Sequence, residues 1–279
     1  MPGRSLMRVT LGAVAIALAL WVALCAWLFV QQRRLIYHPG FTRTPAASTD
    51  FSITRDGVVL RGWRVRADCA DAIVYFGGNA ETLLPMRERL RALFPHHALY
   101  LVAYRGYGAS DGTPSETAIV GDARAVFDIV RRAHPKGTVT VIGRSLGAGV
   151  AARLASERAV DRLVLVTPFD RLSTVAQSHL PWAPARLLLR ERYEAAAAVA
   201  DLRTPVLVAV AGHDTVVPNA STRALIRALP RAPGVVELPG ATHIDVVEAP
   251  AFNRALQSFV GPASSGCGGA SAHADEALG

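Results

Sequence analysis

Thr138 to Ile142, five apolar or β-branched residues, run directly into Gly143-Arg144-Ser145-Leu146-Gly147, and an alanine-rich segment follows. A strand that turns through two glycines into a helix is the context a nucleophile elbow requires. Glycine carries no Cβ, so the turn is sharp enough to hold a serine in strained backbone space with its hydroxyl facing outward. Ser145 is the candidate nucleophile. The plainer alternative is a tight strand-helix connection that contains a small serine.

The rest of the chain supplies the sheet that such a turn needs. Strand-like runs at 72–76, 98–104, 138–142, 163–167, 206–211 and 235–238 alternate with helical patterns near 82–94, 116–133, 146–158, 219–229 and 251–260. This alternation predicts an α/β fold, a mostly parallel, doubly wound sheet with helices on both faces. Ahead of it, 51–54 and 58–65 flank Asp56-Gly57, a hairpin signal that adds antiparallel strands at one edge. With 279 residues the chain has room for one large domain with appendages.

A serine hydroxyl is a weak nucleophile at neutral pH. An imidazole must take its proton, and a carboxylate must orient that imidazole and stabilise its charged form. On such a sheet the acid and then the histidine follow the serine in the chain. Asp214 lies just past the run 206–211, at the carboxyl end of a buried strand where open sheets carry functional groups. His243 lies in Pro239-Gly240-Ala241-Thr242-His243, after the last strand-like run. Asp170 is the rival acid, and Asp245 reads as a loop-capping residue. His213 reads as a local packing or hydrogen-bonding residue, while His96, His97, His134 and His179 read as surface or core histidines.

The order Ser145, Asp214, His243, together with the block Tyr104-Arg105-Gly106-Tyr107-Gly108-Ala109-Ser110-Asp111-Gly112-Thr113-Pro114-Ser115-Glu116, resembles the α/β-hydrolase superfamily, and within it the Bem46-like serine hydrolases. The resemblance runs from Leu35-Ile36-Tyr37-His38-Pro39 to Phe259. It implies an oxyanion hole of two backbone N–H groups, mapped here to Leu146 and Asn79. Relatives usually carry His-Gly-Asn-Ala after the third strand, whereas this chain has Gly77-Gly78-Asn79-Ala80. Backbone donors survive that change, and the side chain of Asn79 is then expected to be dispensable, but the added glycine is expected to make the loop more mobile. Residues 181–189 resemble the family's short helical insertion. Leu180, Trp182 and Leu187, with Leu188, are the candidate lining of an acyl pocket, against the plainer reading that they pack on the core.

The amino end is of another kind. Residues 9–30 carry no charge and are nearly all apolar. As a helix they span about 33 Å, enough for the hydrocarbon core of a bilayer. They predict an uncleaved transmembrane anchor over 1–34, with a cleaved signal peptide as the competing reading, ahead of a catalytic domain over 35–260 and a glycine- and serine-rich, disordered tail over 261–279. Basic residues flank both ends of the span. The reading here is a cytoplasmic amino terminus and a domain on the exterior or periplasmic face.

A formal charge of +8 is carried almost wholly by arginine, with Lys136 the single lysine. The arginines are scattered along helices rather than set in a basic run with aromatics, so nucleic acid is not an expected partner, whereas anionic lipid suits them. No His-Glu-x-x-His motif or clustered His/Asp pattern is present, and neither metal nor cofactor is expected. Cys25, Cys69 and Cys267 give no sign of a disulfide framework. The expected function is a membrane-anchored serine hydrolase acting on small-molecule or lipid-like acyl esters or thioesters. A non-catalytic hydrolase-fold protein that binds or scaffolds is the alternative, since fold alone does not establish activity.

Overall fold

The computed structural model describes residues 2–264 and residue 267. Its helices are α1 (Pro2–Ile36), α2 (Leu83–Leu93), α3 (Glu116–Ala133), α4 (Leu146–Ala155), α5 (Leu172–His179), α6 (Ala185–Leu188), α7 (Ala195–Val199), α8 (Asn219–Ala228) and α9 (Pro250–Val260). The strands are β1 (Phe51–Arg55), β2 (Val58–Val65), β3 (Ala72–Phe76), β4 (Ala98–Val102), β5 (Val139–Arg144), β6 (Arg162–Val166), β7 (Val206–His213) and β8 (Gly234–Thr242).

These strands form one sheet in the order β1-β2-β4-β3-β5-β6-β7-β8. The β1–β2 hairpin and the β2–β4 pair are antiparallel, and every pair from β4 to β8 is parallel. The expected architecture is present. Strands β3, β4 and β5 are buried at every position, as parallel strands covered on both faces must be, whereas the edge strand β1 alternates half-buried and exposed residues.

From β3 the chain winds outward to β4, then returns past β3 to β5. The strand order therefore reverses between β3 and β5, and a crevice opens there at the strands' carboxyl ends. The loop after β3 and the turn after β5 both open into it. Strand β8 extends further than its apolar run suggests and includes Pro239, with a register shift between Ala211 and His213 on β7. Proline donates no ladder bond, which is tolerated because β8 is at the sheet's edge.

The reading of the cysteines is corrected. Cys69, in the loop before β3, is disulfide-bonded to Cys267, and Cys25 is free. The pairing joins positions separated by 198 residues, so no local spacing announces it. Asp71 sits beside it. Burial alone would raise its carboxyl, but the backbone N–H groups of Ser264 and Thr138 donate to it and hold it below the ordinary range. The start of the tail is thus held on the domain. Residues 265, 266 and 268–279 of the expected disordered tail lie outside the described residues.

Helix α1 is long and apolar enough to cross a membrane, with a mean hydropathy of 2.6 and only 6% of its apolar window buried. That exposure separates it from a core helix. Its carboxyl half still touches the domain through a stripe at helical spacing, Cys25, Phe29, Gln32 and Ile36.

Candidate active site

Ser145 follows β5 directly and precedes the first residue of α4. Its backbone has φ 52° and ψ −115°, strained for a residue with a Cβ, and Thr167 at the end of the neighbouring β6 also has positive φ. Gly147 explains why the turn demands glycine. A Cβ there would stand 2.1 Å from the carbonyl oxygen of Phe76, inside van der Waals contact with β3.

His243 Nε2 lies 2.9 Å from Ser145 Oγ, and His243 Nδ1 lies 2.8 Å from Asp214 Oδ2. The other carboxylate oxygen of Asp214 accepts the backbone N–H groups of Val216 and Val217 at 2.9 and 2.7 Å. That carboxylate is 2% exposed and fully engaged, so it holds the Nδ1 edge of the imidazole toward itself and leaves the Nε2 edge facing the hydroxyl. Asp170 is elsewhere: its carboxylate accepts the hydroxyls of Ser221 and Thr174. Asp245 accepts the Thr242 backbone N–H in a local turn. His134 is buried against the Tyr100 hydroxyl, and His179 bonds the Val216 carbonyl.

The early loop also faces the serine. A Cβ on Gly78 would lie 3.6 Å from the Cβ of Ser145. The Gly78 N–H donates to Glu81 Oε2 at 2.5 Å, so Asn79 carries the next N–H along the loop. Leu146 is the first residue of α4, where backbone N–H groups have no partner within the helix. The mobility expected from Gly77-Gly78 is countered by several clamps. Tyr104 donates its hydroxyl to the Gly77 carbonyl at 2.8 Å, and Tyr107 donates to Asn79 Oδ1 at 2.7 Å. The Asn79 side-chain amide donates to the Ile36 carbonyl, and its Oδ1 also accepts the His38 N–H. The side chain expected to be dispensable is therefore the loop's tie to α1. At position 77 a Cβ would meet a Leu83 methyl at 2.7 Å, so leucine occupies the space a side chain would take.

Two residues that the motif reading passed over join the halves of the site. Arg144, the variable residue of the elbow, donates to the His243 and Ile244 carbonyls at 3.2 and 2.9 Å, and pairs with Glu81 Oε1 at 3.0 Å. Glu81 in turn accepts the Gly78 N–H and the Tyr75 hydroxyl. Burial pushes the Tyr75 phenol well up, so it remains a donor. The arginine inside the glycine motif was the available signal, but its partners lie in distant loops.

Of the candidate pocket residues, Leu180 and Leu188 line a cavity beside α1. Trp182 and Leu187 do not: they stand on the outer surface of the cap that α5, α6 and their connection form, 44% and 83% exposed.

A model of the alpha/beta hydrolase fold matches residues 71–193. The Mycobacterium tuberculosis protein Rv2307c is 34% identical over 251 residues, covering 84% of this chain and 88% of its own. The chain belongs to the α/β-hydrolase superfamily. A Pyrococcus furiosus esterase shares the fold with a TM-score of 0.61 at 18% identity, over 76% of this chain and 88% of its own. A lysophosphatidylserine lipase of Mus musculus is 36% identical over 117 residues, 38% of this chain and 29% of its own.

Proposed function

We propose that this α/β-hydrolase is a membrane-anchored serine hydrolase of the Bem46-like type that cleaves acyl esters or thioesters through an acyl-enzyme on Ser145. The observation that carries the reading is the continuous relay from Asp214 through His243 to Ser145, with both hydrogen bonds at 2.8–2.9 Å. In this reading Ser145 Oγ attacks the substrate carbonyl carbon as His243 Nε2 takes its proton. The tetrahedral oxyanion is held by the N–H groups of Leu146 and Asn79. The imidazolium then protonates the leaving alcohol or thiol, and the acyl-enzyme remains. Water attacks that ester, again giving its proton to His243, and Ser145 leaves with the proton returned.

Scaffolding without catalysis would not require a strained serine, a buried carboxylate and an imidazole in register, which favours the enzyme. Anchoring rather than removal of the amino-terminal segment is supported by its contacts with the domain: Arg33 pairs with the buried Glu191, and Gln32 bonds Leu188 and Arg190. An exterior position for the domain is supported by the Cys69–Cys267 bond, since disulfides persist in oxidising compartments. Purified full-length protein should react with a fluorophosphonate probe, and the Ser145→Ala variant should not. A wild-type protein that stays unlabelled while folded would refute the reading.

A further inference from the structure

Between α1 and the cap helices α5 and α6 lies a cavity of about 210 Å³, walled mainly by Leu28, Leu35, Ala176, Leu180, Leu188 and Leu189. Two polar side chains also reach its wall, and both are engaged within the protein. Gln32 donates to the Phe29 and Leu188 carbonyls at 2.7 and 3.3 Å and accepts the Arg190 N–H at 2.7 Å. His179 bonds the Val216 carbonyl at 2.9 Å. A cleft with such a lining suits hydrocarbon and disfavours a polar group, whose lost hydration would go unreplaced.

Two hydrogen bonds tie the wall of this crevice to loops of the candidate active site. Ile36, another wall residue, holds Asn79 through its carbonyl, and Val216, the partner of His179, lies two residues past Asp214. Ser145 is bonded to His243 between those two loops.

Nearer the amino end of α1, the Trp21 indole N–H donates to the Trp182 carbonyl, between α5 and α6, at 3.2 Å. Trp21 is near the middle of the apolar stretch. The twelve residues before it, 9–20, reach only about 18 Å as a helix, short of the roughly 30 Å hydrocarbon core. For α1 to cross, the part docked on the cap must also lie within hydrocarbon. That depth accounts for Leu187 and Trp182 standing exposed, because lipid rather than water then covers them.

We propose that the crevice receives one acyl chain of a bilayer lipid ester from the side and brings its carbonyl to Ser145, so that α1 is a wall of the substrate site as well as an anchor. This rests on the reading of Ser145 as nucleophile and α1 as a membrane span.

The test uses full-length protein in phosphatidylcholine vesicles, with p-nitrophenyl acetate and p-nitrophenyl dodecanoate as substrates. Ala176→Phe and Leu188→Trp place bulk in the crevice. In both, the ratio of dodecanoate to acetate kcat/KM is expected to fall about tenfold or more. An unchanged ratio in variants that still react with a fluorophosphonate overturns the proposal. A second arm needs neither the variants nor turnover: vesicles doped with a phosphatidylcholine bearing a diazirine in its acyl chain. Wild-type cross-links at Ala176, Leu180 or Leu188 support the crevice, and cross-links confined to the outer face of α1 overturn it. A wild type that ignores the fluorophosphonate yet cross-links in the crevice refutes the hydrolase reading alone.

Discussion

Ile36, the last residue of α1, accepts a hydrogen bond from the side-chain amide of Asn79, the residue mapped to the oxyanion hole. The apolar helix and the early loop are therefore one mechanical unit. Tyr107 and His38 complete the clamp on the other side of the amide.

Asn79 therefore has two separable contributions. Asn79→Ala keeps the backbone N–H but releases the loop, and kcat is expected to fall by up to about 10²-fold, as for a misplaced catalytic group. Asn79→Pro removes the donor itself and should cost about 10²–10³-fold in kcat. Steady-state kinetics on variants with wild-type circular dichroism measure both. An Asn79→Ala enzyme of wild-type kcat would mean that the loop holds its position without the tie to α1.

The acid of the relay is tested by comparing two aspartates. Asp214→Asn should lower kcat by about 10⁴, because the imidazole loses its orienting charge. Asp170→Asn, which alters bonds to Ser221 and Thr174 and a pairing with Arg171, should change kcat far less. A larger loss at Asp170 would reassign the acid.

Arg144 and Glu81 are nearly buried, with side chains 11% and 10% exposed. Removing one partner of such a pair strands the other charge, at a typical cost of about 3–5 kcal/mol. Arg144→Met should lower both the melting temperature and kcat, since it frees the His243 loop and the support of Gly78. The double variant Arg144→Met/Glu81→Gln should recover part of the lost melting temperature. Strict additivity of the two single effects in thermal unfolding would show that the pair is not coupled.

Burial holds the imidazoles of His134 and His97 below their ordinary value near 6.5. Around His134, Tyr100 and the Ala70 carbonyl contact the ring, and Arg131 and Asp71 are the neighbouring charges. Below pH ~6.5 the unfolded chain takes up protons that the folded chain refuses, so stability present above that pH is lost as pH falls toward the depressed folded values. His134→Gln should lessen the drop in melting temperature between about pH 7.5 and pH 5.5. An unaltered drop would place the acid sensitivity in other groups.

The disulfide gives a redox prediction. Reduction, or Cys69→Ser, should destabilise the domain by about 2–4 kcal/mol, with Cys267→Ser equivalent. Calorimetry with and without a reductant measures it, and identical melting in both states would mean that the bond ties only a segment that opens independently.

Local pattern alone determined the sheet, its flanking helices, the elbow at Ser145 and the order in which Asp214 and His243 follow. Apolar period, glycine placement and chain order are properties of short windows, and they report burial and turn geometry directly. The same windows were silent on Arg144 reaching Glu81 and the His243 carbonyl, on Ile36 holding Asn79, and on Cys69 meeting Cys267. They also misplaced Trp182 and Leu187, because an apolar residue at helical spacing faces a core or a lipid according to what packs beside the helix. Each of these relations joins segments brought together only when the strands cross over one another and α1 docks on the cap. Proximity of that kind is a product of chain reversal in three dimensions, so tertiary structure alone decided it.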